Sequence, residues 1–165
     1  MKSFRIGAIV VLAFLLSVSS FAMSKFDIID AIRKVAKIND VNETLALSIA
    51  EVESGFNPQA LRYEPKFKTY SVGLFQIFVP TSRALGFKGS HLELQQPNIN
   101  IELGIKHLRI CTDRFKDNVA KIACCHNAGY AVKESVCRNN VHVKEYVRKV
   151  LYAYQKRQNN ALALN

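Results

Sequence analysis

One irregular stretch, residues 56–79, does most to narrow what this chain can become. On either side of it the apolar residues recur at helical spacing. Within it, Pro58, Pro65 and Gly73 interrupt any helix, and only Thr69-Tyr70-Ser71-Val72 leans towards a strand. Ahead of the stretch, Ser24-x-x-Asp27 can cap a helix whose apolar face is Ile28, Ile29, Ile32, Val35 and Ile38. Asn42 can cap a second, through Leu45, Leu47, Ile49, Ala50 and Val52, which ends at Glu53-Ser54-Gly55. Behind the stretch, residues 81–85 read as a short helix closed by Gly86, and Pro97 suits the first turn of a longer one. Residues 119–128 and 141–155 give two more. The expected fold is mainly α, a single domain carrying one long loop or small β segment. Long irregular segments in compact domains are usually functional.

Residues 1–22 read as an export signal peptide. Lys2 and Arg5 supply a positive start, residues 6–16 are apolar, and Ser20-Phe21-Ala22 resembles a small-x-small cleavage site. The apolar run is short for a membrane span of about 20 residues; an uncleaved N-terminal anchor is the rival reading. Residues 23–157 then make up one folded domain, with enough chain for its own core. Residues 158–165 read as a polar, weakly structured tail. The expected product is periplasmic or secreted, a monomer, with no stable membrane span once the signal is cleaved.

The formal charge of +10 favours contact with polyanions such as cell-wall polymers, lipid surfaces or nucleic acid. The basic residues are dispersed, however, and Lys144, Arg148, Lys149, Lys156 and Arg157 decorate one terminal helix. Basic motifs interleaved with aromatics are missing, so nucleic acid is not the expected partner.

Four cysteines, Cys111, Cys124, Cys125 and Cys137, lie close together and after export would meet an oxidising compartment. A bond between the adjacent Cys124 and Cys125 is geometrically strained. Two pairings remain: Cys111–Cys124 with Cys125–Cys137, or Cys111–Cys125 with Cys124–Cys137. Antiparallel helices around residues 116–118 would bring Cys111 near Cys124, which favours the first. Free buried thiols are a fair alternative, and a zinc site matches no paired spacing.

The chemistry is placed at Glu53. A carboxylate in the last turn of an apolar helix, facing a second glycine-hinged segment, is how a fold makes a general acid. Rigid low-dielectric walls help a carboxyl group to hold a proton that it can donate. Gly55 can take the left-handed geometry that ends the helix and exposes that turn. Glu51 points to roughly the opposite side of the helix and reads as a surface charge. An isolated helix-end glutamate would be read as merely solvated; here the flanking strings argue otherwise.

Those strings are Glu53-Ser54-Gly55-Phe56-Asn57-Pro58 and Ser71-x-Gly73-Leu74-Phe75-Gln76-Ile77. They continue as Thr81-x-x-Ala84-Leu85-Gly86-Phe87 and Gln96-Pro97-x-Ile99-Asn100-Ile101-x-x-Gly104-x-x-His107-Leu108, then Asn127-Ala128-Gly129 and Tyr146-Val147-x-x-Val150-Leu151. In this order and spacing, over roughly residues 41–154, the chain resembles the soluble lytic murein transglycosylases, lysozyme-like enzymes of the bacterial cell wall. Three departures stand out. Cys125-His126 replaces the family's usual Ala-Tyr pair, and His142-Val143 replaces a common Glu-Thr pair. The connection over residues 59–70 is richer in charge and aromatics than usual.

The resemblance implies a lysozyme-like domain whose loop or β segment lies beside an active-site cleft. It also implies that peptidoglycan glycan strands are the substrate and that neither metal nor organic cofactor is needed. Glu53 would protonate the leaving oxygen of the MurNAc–GlcNAc β-1,4 bond. It would then take a proton from the muramic acid 6-hydroxyl, which closes a 1,6-anhydro ring. Tyr146 is similar to a family tyrosine that orients the glutamate, though a core tyrosine would fit the same spacing. Ser54 can bond the acid or substrate, or simply cap the helix. Gly73 and Gln76 would line the sugar groove, and Phe75, Phe78 and Tyr70 would give apolar walls or ordinary core. Asn127 suits an acetamido contact or a turn cap, and His126 a polar contact or a partly buried histidine.

Glu64 keeps a hydrolase in view, as a second carboxylate able to activate water, although Arg62 and Lys66 nearby suit a surface ion pair. A non-catalytic wall-binding or secretion-assembly module is the reading of a different class, and the intact Glu53 argues against it. A polyanion-binding protein, resting on charge alone, is the third. Secretion, conjugation or pilus machines are the partners that small members of the family suggest.

Overall fold

The computed structural model describes residues 23–163, so the expected export signal lies outside the described residues. Helix α1 (Lys25–Ile38) begins on the expected capping box, in which Ser24 Oγ accepts from the Asp27 amide and Asp27 accepts from the Ser24 amide. Helix α2 (Glu43–Ser54) begins on Asn42, whose side chain accepts from the Leu45 amide. Residues from Leu45 to Ala50 are buried without a break because α2 packs between α1 and the C-terminal helix. It is the central element of the core.

The irregular stretch folds into an antiparallel sheet in the order β1 (Leu61–Glu64), β2 (Thr69–Val72), β3 (Ile77–Phe78). A 3-10 turn at Pro65–Phe67 joins the first two strands. In the register, Arg62 faces Ser71 and Ser71 faces Phe78, so these three share one side of the sheet. Tyr63 and Tyr70 pair on the other side with ring centroids 5.2 Å apart. The remaining helices are α3 (Val79–Ala84), α4 (His91–Leu94), α5 (Pro97–Phe115), α6 (Val119–Ala128), α7 (Glu134–Asn139) and α8 (Val141–Leu162). Helix α8 runs on to Leu162, where a weakly structured tail was expected from residue 158. Nothing in the polar sequence breaks the helix, and Gln158 donates to the Tyr154 hydroxyl one turn back.

The turn between β2 and β3, residues 73–76, is held from two sides. Ser54 Oγ on α2 donates to the Leu74 carbonyl at 2.9 Å. Asn100 on α5, fully buried, accepts from the Phe75 amide and donates to the carbonyls of Val72 and Leu94, each at 2.9 Å. Gly73, at φ +75°, leaves room for that amide, since a Cβ there would come within 2.3 Å of Asn100 Nδ2.

The disulfides are Cys111–Cys125 and Cys124–Cys137, which corrects the favoured pairing. Adjacent residues on a helix point about 100° apart, so the two α6 cysteines must reach different neighbours. His107 and Cys111, one turn apart on α5, meet His126 and Cys125 on α6. Cys124 turns instead to α7 and Cys137. Each bridge closes a loop of roughly 15 residues, worth about 3 kcal/mol by restriction of the unfolded chain. Urea denaturation with and without reductant should show the reduced protein less stable by several kcal/mol. A midpoint unmoved by reduction would mean that the helices alone hold this corner.

Candidate active site

Helix α2 stops at Gly55, which sits at φ +63°. No atom lies within 4 Å of where its Cβ would be, so the left-handed backbone rather than space requires glycine. This ending leaves Glu53 at the mouth of a cleft of about 270 Å³, with its side chain 10 % exposed. A second cavity of about 350 Å³ opens on the other side of the same carboxylate. The sheet forms one wall of the first cavity through Arg62, Glu64, Ser71 and Phe78, while α6 supplies His126 and Asn127. Helix α8 brings Tyr146 and Lys149 to the second.

His126 is the polar side chain set against the acid. Its Nε2 lies 3.4 Å from Glu53 Oε1 and 3.3 Å from the Phe75 carbonyl oxygen. Both are acceptors, which puts the ring hydrogen on Nε2. Its Nδ1 has no partner among the described residues. The Tyr146 hydroxyl lies close to Glu53 from α8 and is buried without an aligned hydrogen bond among the described residues. Burial first, and then the Glu53 charge, hold that phenol well above the ordinary tyrosine range, so it keeps its proton.

Behind His126 stands His107, with ring centroids 5.1 Å apart. Burial, and to a lesser degree the neighbouring His126, push the His107 pKa down to about 3. The unfolded chain would take a proton there below about pH 6.5, whereas the folded protein does not. His107 therefore favours the folded state fully only above about pH 6.5, and this contribution is lost as the pH falls towards 3. By pH 5.5 the loss is about 1.4 kcal/mol. Chemical denaturation at pH 7.5 and 5.5 should show that slope in the parent protein and a flatter one in His107→Gln.

The sequence-expected residues divide into two groups. Glu53, Glu64, Gln76, His126 and Asn127 line the first cavity, and Tyr146 lines the second. Gln76 Nε2 is spent on the carbonyls of Gly73 and Ala60, which leaves its amide oxygen without a bond among the described residues. Ser54, Gly73 and Phe75 line neither cavity and sit in the surrounding scaffold. The Ser54 hydroxyl bonds backbone carbonyls, Gly73 packs on Asn100, and Phe75 is fully buried against Gly104. Glu64 is half-buried, and its Oε1 accepts from Arg62 Nε at 2.8 Å and Ser71 Oγ at 2.7 Å. Arg62, His107 and Ser71 were not expected in the site. Strand alternation from Glu64 would have found the first, and the one-turn spacing of His107 and Cys111 the second. The described residues include no group of three or more histidine, cysteine or acidic side chains placed to hold a metal ion.

The transglycosylase SLT domain family matches this chain over residues 30–156. The chain belongs to that family. Among relatives of this SLT domain, the membrane-bound lytic murein transglycosylase C of Haemophilus influenzae is 32% identical over 95 residues, covering 53% of this chain and 25% of the relative. The same-named protein of Histophilus somni is 33% identical over an equal span, with the same coverage of both chains. The 70 kDa soluble lytic transglycosylase of Escherichia coli superposes with a TM-score of 0.62 at 23% identity, covering 76% of this chain and 23% of that one. A complex of the 70-kDa soluble lytic transglycosylase with bulgecin A gives 0.65 at 19%, covering 80% and 24%. The lysozyme-like α fold with its small sheet is thus shared. This SLT chain spans about a quarter of the length of those curated relatives. Among the described residues, no helix is long and apolar enough to cross a membrane.

Proposed function

We propose that this protein is a lytic transglycosylase that cleaves the MurNAc–GlcNAc β-1,4 bond of peptidoglycan and leaves 1,6-anhydroMurNAc. The observation that carries the reading is Glu53 itself: a nearly buried carboxylate between two cavities, on an SLT-family scaffold. A strand lying through both cavities would pass its scissile bond over this group. Glu53 donates its proton to the leaving oxygen as positive charge builds at the anomeric carbon of muramic acid. The C1–O bond breaks and the substrate's N-acetyl oxygen supports the cation. Glu53, now a carboxylate, takes the proton of the 6-hydroxyl as O6 bonds to C1. No water enters the product, and the proton returns to Glu53. Tyr146 and His126 orient the carboxyl from α8 and α6, and Asn127 offers an amide to an acetamido group. Residues 1–22 direct export, so that the enzyme meets its substrate in the wall.

Glu64 supports a second reading, hydrolysis, because it faces the same cavity. Against it, that carboxylate already accepts from Arg62 and Ser71. Mass spectrometry of products from purified peptidoglycan decides. Anhydro-terminated fragments are expected; fragments heavier by one water would replace the lyase with a hydrolase and give Glu64 its role. Strand binding without products would leave a wall-binding module.

A further inference from the structure

The two cavities that meet at Glu53 share three lining residues, Glu53, Arg62 and Asn127, and Arg62 is the cation among them. Strand register places Arg62 beside Ser71 on the cleft side of the sheet. Its Nε donates to Glu64 Oε1, and the same oxygen accepts from Ser71, which is only 3% exposed. The carboxylate that braces the guanidinium is thus itself anchored in the wall. Both terminal nitrogens of Arg62 lack a partner among the described residues, and they are the pair that can fork around a planar anion. The charge of Arg62 is felt at the Tyr146 hydroxyl, beside Glu53.

Across the second cavity, Lys149 adds a further cation. Glu145 lines the same cavity; it takes two bonds from Arg148, at 2.8 and 2.9 Å, and lies 3.9 Å from Lys149 Nζ, so that cation is already partly paired. A surface ion pair contributes little and needs no particular place. The Arg62 side chain is 62% exposed, but it stands where both halves of the cleft join, braced at one edge and open at the other.

We propose that Arg62, braced by Glu64 and Ser71, is a carboxylate-binding site for the acidic arm that muramic acid carries on O3. The proposal rests on the peptidoglycan reading above and deepens it. Where the stem peptide has been removed, that arm ends in the lactyl carboxylate; where the peptide remains, it carries the peptide's carboxylates. N-acetylglucosamine has neither. A braced guanidinium at the cavity junction therefore sets which sugar lies on the side of the bond that must close its ring.

Calorimetric titration in a Glu53→Gln background tests binding without turnover. Three probes are needed: peptide-bearing uncross-linked glycan strands, strands stripped by an amidase, and a chitooligosaccharide. Adding Arg62→Gln should weaken binding of a muramyl strand roughly tenfold and leave the chitooligosaccharide unchanged. Arg62→Lys should recover only part, because an ammonium cannot fork. Glu64→Gln, which keeps the guanidinium but loosens its brace, should give an intermediate loss and serves if Arg62→Gln folds poorly. Loss confined to peptide-bearing strands assigns the stem carboxylates, and loss on stripped strands assigns the lactyl group. An equal loss on chitooligosaccharide, no loss on any probe, or no muramyl binding by the parent overturns the site. If the wild-type enzyme forms no anhydro product yet discriminates in this way, the lyase reading fails and the Arg62 site stands.

Discussion

Glu53→Gln should lower the formation of 1,6-anhydro products by roughly a thousandfold, the middle of the range that general acid–base catalysis supplies. Glutamine keeps the shape of the side chain and its ability to accept from His126, so the cleft should still bind glycan. Fold stability should hold or rise slightly, because a nearly buried carboxylate gives way to a neutral group. Glu51→Gln is the matched control on the same helix. Its carboxylate is exposed and pairs with Arg157 at 2.5 Å. Losing that pair should cost at most about 1 kcal/mol of stability and leave turnover unchanged. Kinetics by product chromatography would separate the two. A Glu53→Gln protein retaining a tenth of the parent rate would remove Glu53 from the chemistry, whatever its position in the cleft.

The parts of this fold that could be read from sequence are those set by short-range chemistry. Ser24 and Asn42 cap helices because their side-chain oxygens sit at a fixed spacing from unpaired amides, and Pro97 opens α5 because its missing N–H costs nothing there. The strand at Thr69–Val72 declared itself through β-branched and aromatic residues. Its partner at Leu61–Glu64 did not, since a mostly exposed strand has no buried face to pattern its sequence. The short α4 and α7 escaped for want of length. The disulfide pairing turned on the rotational phase of α6, and two adjacent cysteines give no hint of which one faces α5.

The candidate site shows the same division. Glu53, Gln76, His126 and Asn127 reach the cavity much as their local strings suggest. A string cannot tell which of its members look outward. Ser54, Gly73 and Phe75 belong to the same strings and face the interior, where they hold the turn that carries Gln76. The His107–His126 contact joins residues 19 positions apart, and only the packing of α5 on α6 brings them together.

That buried scaffold gives the second large effect. Asn100→Ala should destabilise the fold by about 4 kcal/mol, a fall in Tm of roughly 10–15 °C. The Asn100 side chain satisfies the Phe75 amide and the carbonyls of Val72 and Leu94 in a place that water does not reach. Removing it strands three backbone groups at about 1–3 kcal/mol each, partly offset by relaxation into the space left behind. Asn100→Asp separates the cavity from the hydrogen bonds, because it preserves shape and changes the donor nitrogen to an oxygen. That oxygen would sit against two carbonyls with nothing to donate, so at neutral pH the aspartate variant should be at least as unstable as alanine. Thermal melts of both variants decide. An alanine variant within 1 kcal/mol of the parent would mean that the turn is held by Ser54 alone, and an aspartate variant more stable than alanine would make packing the main term. If both fall as expected, the residue that shapes the cleft floor is a neutral amide more than 40 positions from the acid it supports.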